Sequence, residues 1–199
     1  DWIVKFPASI DRRDAGLIEY RYCECARKCG LEVAETRLFP SARCEGYFGT
    51  KRFDRIKRPD STIRRVHMLS VSALLETSHR IPNLDYRTLM TLTLEMTKDY
   101  SDVEKMYAHN RDDHSKNFTF LYDEDRQAWK LSPAYDLTYS NSLGGEHATS
   151  VNGNGRDPSR KDILAIAEHI GIAKTKAKQI ADQVEAAVAD VLGNVSQYR

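Results

Sequence analysis

The chain opens on Trp2-Ile3-Val4-Lys5-Phe6, a run of aromatic and β-branched residues that predicts a strand, with Pro7 closing it. From Asp14 to Cys29 the spacing becomes helical, with Leu17, Tyr20 or Arg21, and Glu24 a turn apart, and Gly30 supplies the stop. Leu31 to Phe39 and Gly46 to Phe53 read as strands around a turn. Lys51 to Pro59 is a charged connector between two parts of the chain. Helical spacing resumes at Val66 to Glu76, Tyr86 to Met96 and Ser101 to Tyr107. Phe118 to Tyr122 and Trp129 to Leu131 then flank Asp123-Glu124-Asp125 as a short hairpin. A Gly/Asn-rich loop leads from Gly144 to Gly155, and two helices follow, Pro158 to His169 and Ala173 to Leu192. A small strand-rich part thus precedes a larger helical one, an α+β order, with residues 1–58 and 59–199 on either side of the boundary.

A chain of 199 residues can form one large domain or two small lobes on a shared core. Basic and acidic residues number 30 and 29, for a net charge of +1, which excludes a surface that grips a phosphate backbone over its whole area. No apolar run approaches the roughly 20 residues that cross a bilayer, so no membrane partner is expected. The start inside a strand, without Met or a charged-then-apolar leader, reads as a piece of a longer protein. Cys23, Cys25, Cys29 and Cys44 lack the second cluster that a zinc site needs. They read as buried free thiols in a reducing, cytoplasmic compartment.

The densest polar cluster is His109-Asn110-Arg111-Asp112-Asp113-His114-Ser115-Lys116-Asn117, just before the strand-like Phe118-Thr119-Phe120-Leu121. Asp112 and Asn117 stand as D-x-x-x-x-N, the spacing of the protein-kinase catalytic loop. Phosphoryl transfer needs one carboxylate that orients the attacking hydroxyl and oxygen donors that hold a divalent ion. The second carboxylate is Asp136, after the second strand of the hairpin. Upstream, Lys5 ends a strand and is followed by a helix carrying Glu19 and Glu24, either of which could orient it. The bland alternatives are an Asn/Asp-rich turn with solvated charges and a surface lysine on an edge strand.

Asn110-Arg111-Asp112-Asp113-His114-Ser115-Lys116-Asn117-Phe118 resembles the N-x-D-D-H-x-K-N-F signature of HipA-like kinases. Ser132-Pro133-Ala134-Tyr135-Asp136-Leu137 resembles their L-x-P-x-Y-D element, Arg52-Phe53-Asp54-Arg55 their hinge, and Ile3-Val4-Lys5-Phe6-Pro7 their ATP-lysine strand. The resemblance implies a two-lobed, protein-kinase-like α+β fold, with a partial strand-rich N-lobe and a mainly helical C-lobe. It implies an ATP- and Mg²⁺-dependent serine/threonine kinase, in which Asp112 accepts the proton and Asn117 and Asp136 hold the magnesium. Lys5 would contact the phosphates. His114, Lys116, Asn117 and Tyr135 would line the nucleotide site, and Lys51, Arg52 and Phe53 would meet the adenine. The family's members are bacterial toxins that phosphorylate proteins, an aminoacyl-tRNA synthetase among them. They pair with a HipB-like helix-turn-helix antitoxin, through which they reach DNA only indirectly. This chain departs from the pattern in lacking the glycine-rich loop before Lys5, in carrying Lys51 where the hinge has Glu, and in the short helix before His109.

Two rival readings belong to other classes. Ala165 to Lys176 has a helix-turn-Gly-helix rhythm with Lys174, Lys176 and Lys178 opening the second helix, as in a DNA-binding module. Against it, that helix runs on, turns acidic at Asp182 and Glu185, and offers Ile180, Val184, Ala187 and Val191 for packing. A metal-dependent phosphohydrolase would use His109, Asp112, Asp113 and His114 as ligands, but His67, His79, His147 and His169 show no supporting pairing. A pseudokinase is the third reading, and the intact motif residues speak against it.

Overall fold

The computed structural model describes residues 1–9, 11–78, 84–107, 115–137 and 148–193. Strand β1 (Trp2–Val4), helix α1 (Ala15–Lys28), β2 (Thr36–Phe39) and β3 (Tyr47–Lys51) form the first part. The sheet has the order β1-β3-β2, both pairings antiparallel, with Val4 opposite Gly49 and Leu38 opposite Phe48. Trp2 meets Phe39 edge-on, 5.8 Å between ring centroids. Helix α1 packs on β2 and β3. It comes close because residue 16 is glycine: a side chain there would run into the backbone of Gly46 and Phe48. It ends as the sequence predicts, with Gly30 at φ +82° and the Leu31 N–H donating to the Ala26 carbonyl at 3.0 Å. This is the left-handed glycine stop that satisfies the last helical carbonyls.

The segment read as a connector is a hairpin. Strand β4 (Arg55–Lys57) pairs antiparallel with β5 (Ile63–Arg65), placing Arg55 opposite Arg65. Like charges facing each other are unfavourable, and Asp54 offsets this by pairing with Arg55, while also pairing with Arg52.

The helix expected over Val66 to Glu76 is a second departure. Its first half is strand β6 (Met68–Ser70), and only α2 (Val71–Leu74) is helical. After these come β7 (Leu84–Asp85), α3 (Tyr86–Thr97), α4 (Tyr100–Tyr107), β8 (Thr119–Asp123) and β9 (Ala128–Leu131). The hairpin of β8 and β9 forms as expected, and β6 joins it in a sheet of order β6-β8-β9, with Leu69 opposite Phe120. The cause lies across the fold: the Val71 and Ser72 N–H groups donate to the Phe118 and Ser115 carbonyls at 2.8 and 3.0 Å. These bonds begin α2 at Val71 and hold the preceding residues extended.

The last elements are β10 (Thr149–Ser150), parallel to β7, then α5 (Arg160–His169) and α6 (Lys174–Val191). Ser159 and Asp162 form a reciprocal cap at the start of α5. Two cores result. Val71, Leu89, Met90, Val103, Phe118, Phe120 and Ile166 centre the larger one. In the smaller, Ile18, Tyr22, Cys25 and Ala26 of α1 meet Ala134, Leu137, Ala187 and Leu192. The last helix therefore reaches back onto the first, and this packing accounts for the Ala/Val face of α6. Among the described residues no helix is long and apolar enough to cross a membrane.

Candidate functional site

Lys5 follows directly on β1, and its N–H donates to the Phe48 carbonyl at 2.8 Å, so the backbone continues along β3. The side chain leaves this edge and reaches two carboxylates. Its Nζ lies 2.7 Å from Glu19 Oε1 and also donates to Asp136 Oδ1, a residue 131 positions further along the chain. Helical spacing left Glu19 and Glu24 open; Glu24 pairs instead with Arg27 on the outer side of α1. The exposures decide the roles. Glu19's side chain is 9% exposed, whereas those of Lys5 and Asp136 are 41% and 38% exposed. Glu19 is a buried anchor, and the ammonium and the second carboxylate sit at an open edge. Burial alone would lower the Lys5 pKa, but Glu19 and then Asp136 outweigh it and raise it above its ordinary value.

Asp136 sits in a loop fixed from several sides. The Ala134 N–H donates to the Glu32 carbonyl at 2.8 Å, and Val33 and Ala134 form a parallel bridge. The Ser132 N–H donates to the Thr119 carbonyl at 2.9 Å. Asp136 itself has φ +55°, a left-handed conformation that costs a residue with a Cβ on the order of 1 kcal/mol. Tyr135 beside it donates its hydroxyl proton to the Lys116 carbonyl at 2.6 Å. That proton being committed, the Thr119 hydroxyl donates to the same tyrosine oxygen, also at 2.6 Å. Burial pushes the Tyr135 pKa up, against the Thr119 hydrogen bond. Asn117, buried between Lys116 and Thr119 in sequence, is therefore held in the segment clamped to the Asp136 loop.

Asn117 also lines a small cleft with Glu32, Lys105, Thr119 and Pro133. Asp102 links two residues of its lining: one oxygen accepts from the Leu131 N–H at 3.0 Å and the other from Lys105 Nζ at 2.8 Å. Neither Asp102 nor Thr119 stood out in the sequence. The available signals were an acid three residues before a lysine in a predicted helix, and a hydroxyl two positions past Asn117 in the strand that follows it. Among the described residues the buried Ser115 hydroxyl has no hydrogen-bond partner.

The hinge candidates divide. Phe53 joins the site, its ring 5.5 Å from that of Tyr135. Arg52 forms a fork on Asp54, at 2.8 and 2.7 Å. Lys51 points its ammonium at Glu35, 3.1 Å away. The Lys116 side chain is exposed, and its carbonyl is tied in. The candidate base Asp112 and His114 lie outside the described residues, as do His109 and Asp113 of the phosphohydrolase reading. Among the described residues no three His, Cys, Asp or Glu side chains are grouped to hold a metal. The donors present, a carboxylate and an amide, are oxygen ligands of the kind that suit a hard cation which keeps waters and adds substrate oxygens. The lysines opening α6 are exposed, and Lys176 pairs with Glu104 of α4 at 3.4 Å.

Comparison with known proteins identifies the class. HipA of the Shewanella oneidensis MR-1 toxin–antitoxin system, solved with HipB and its operator DNA, matches with a TM-score of 0.73 at 18% identity, over 96% of this chain and 51% of that one. The Helicobacter pylori proinflammatory kinase CtkA matches with a TM-score of 0.55 at 15% identity, over 96% of this chain and 87% of that one. The fold is kinase-like. The chain belongs to the HipA-like C-terminal domain family, whose model it matches over residues 1–192. No curated protein sequence matches it. It spans about half the length of the Shewanella HipA.

Proposed function

We propose that the chain is the kinase portion of a HipA-type toxin, an ATP- and Mg²⁺-dependent serine/threonine protein kinase. The observation that carries the reading is Lys5 held between a buried Glu19 and an open Asp136. A strand-borne lysine fixed by a helical glutamate is how kinases present an ammonium to nucleotide phosphates. Residues 1–58 would form the strand-rich lobe and 59–199 the helical one, with the nucleotide between them. The ring of Phe53, against Tyr135, is placed to form part of the adenine wall. Asn117 and Asp136 would hold Mg²⁺, which when bound neutralises phosphate charge. The Lys5 ammonium supplies a positive charge beside Asp136.

Asp112 would accept the proton of a protein Ser or Thr hydroxyl as its oxygen bonds to the γ-phosphorus and the bond to the leaving ADP oxygen breaks. The acceptor is a protein, an aminoacyl-tRNA synthetase being the example the family offers. The expected partner is a HipB-like antitoxin, through which DNA is contacted indirectly, and the compartment is the cytoplasm. The Shewanella HipA solved with HipB and operator DNA supports the antitoxin.

The test uses the full-length polypeptide carrying this domain. Asp112→Asn should abolish transfer of labelled γ-phosphate to protein while leaving nucleotide affinity within about twofold, because a group that acts on the hydroxyl contributes to the transition state alone. Unchanged transfer would remove Asp112 from its role.

A further inference from the structure

We infer that Tyr135 and Thr119 are positioning residues that set the separation of the two metal donors, Asn117 and Asp136; the inference rests on the proposed metal role of those two. The two donors come from segments distant in sequence, one after the catalytic-loop motif and one after β9. Magnesium accepts little variation in ligand geometry, so something must fix one segment against the other near the donors themselves. Tyr135 is placed to do it. Its backbone is bonded to Asp136, and its hydroxyl donates to the Lys116 carbonyl, which is bonded to the Asn117 nitrogen, at 2.6 Å. Each end of the link is thus one residue from a donor, about 3.8 Å between successive Cα atoms.

Thr119 makes the link directional. Its side chain is buried, 1% exposed, and its hydroxyl donates to the tyrosine oxygen at 2.6 Å. A phenol has one proton, so a donor on its oxygen commits that proton to the Lys116 carbonyl. Chained hydrogen bonds of this kind polarise one another. The Phe53 ring packs against that of Tyr135, centroids 5.5 Å apart, which limits swinging of the ring away from the carbonyl. The left-handed backbone of Asp136 is the other sign of an imposed geometry: a strained residue persists where its surroundings over-determine it.

The experiment titrates Mn²⁺, read by electron paramagnetic resonance, into the full-length polypeptide saturated with a non-hydrolysable ATP analogue. Asp136→Asn serves as the reference variant. Thr119→Val and Tyr135→Phe should each weaken Mn²⁺ binding by about three- to tenfold, the value of one or two hydrogen bonds. Thr119→Ser, which restores the hydroxyl, should return affinity to within about twofold of wild type. The double variant Thr119→Val/Tyr135→Phe should be no weaker than Tyr135→Phe, since both changes break one chain of bonds. Melting temperatures identify any variant that fails to fold, and Tyr135→Phe carries the test if Thr119→Val does. Wild-type Mn²⁺ affinity in folded Tyr135→Phe, with Asp136→Asn weakened, would overturn the inference alone. Wild-type affinity in Asp136→Asn would overturn the metal reading and this inference with it.

Discussion

Lys5 has two carboxylate partners, and their unequal exposure makes one exchangeable and the other not. Glu19 is locked in the face of α1, so its loss leaves a part-buried ammonium with one partner. Glu19→Gln keeps the size and removes the charge, and should weaken nucleotide binding by about tenfold, the order of a charge-assisted hydrogen bond. Glu24→Gln should leave binding unchanged, because that side chain pairs with Arg27 on the outer surface. Equal losses in the two variants would show that Glu19 does not orient Lys5. The raised Lys5 pKa has a signed consequence. The folded value lies above the ordinary 10.5, so the ion pairs stabilise the fold fully below about pH 10.5 and are lost as pH rises through the folded value. Lys5→Met should therefore flatten the fall in melting temperature above pH 10.5, and a fall as steep as in wild type would contradict the coupling. The sequence shows that a lysine precedes a helix with acids on it. It does not show which acid faces the sheet: five positions put residues 19 and 24 about 140° apart on the helix, and the inward side of α1 is chosen by close packing at Gly16.

Elements were legible where their cause is local. Gly30 and Gly171 both stop helices, at φ +82° and +81°, and Ser159 caps α5 as its residue type suggests. The helix expected over Val66 to Glu76 gives way to a strand at Met68 to Ser70 because the deciding partners, Thr119 to Leu121 and the Phe118 and Ser115 carbonyls, lie about fifty residues away. A propensity summed over a window cannot register a ladder bond to a distant carbonyl. The β4 and β5 hairpin was hidden for a related reason: its cross-strand arginines look like a solvated run until Asp54 is seen between Arg52 and Arg55. Asp102 is the clearest case of an element held by one side chain. It ties α4 to the last residue of β9, just before the loop carrying Tyr135 and Asp136. Asp102→Ala strands the Leu131 N–H and the Lys105 ammonium, and should cost about 1–3 kcal/mol in chemical denaturation. Asp102→Asn, which keeps an acceptor for Leu131, should cost less; equal costs would mean that the Lys105 pair dominates.

On the scale of the whole molecule, the candidate site depends on a contact between the two ends of the described chain. Helix α1 carries Glu19 on one side and Ile18, Tyr22, Cys25 and Ala26 toward α6 and the Asp136 loop, where Ala187, Leu192 and Leu137 complete a core. Lys28 and Asp190 pair at its edge. The four sequence motifs announced the family, and the Ala/Val face of α6 announced a packing surface, but neither named α1 as its partner. This arrangement makes the position of Glu19 sensitive to α6. Ala187 is 3% exposed at the contact, whereas Ala186 beside it faces solvent. Leucine is as helix-compatible as any residue after alanine, so either substitution keeps α6 itself intact. Ala187→Leu overfills the contact and should destabilise by about 1–3 kcal/mol. Because the strain falls between α6 and α1, it should also speed hydrogen exchange of the α1 amides and weaken nucleotide binding in the full-length polypeptide. Ala186→Leu should change none of the three. Loss of stability in Ala187→Leu without faster exchange in α1 would show that the helix bearing Glu19 is positioned by its own sheet alone, and that α6 contributes to the fold without reaching the site.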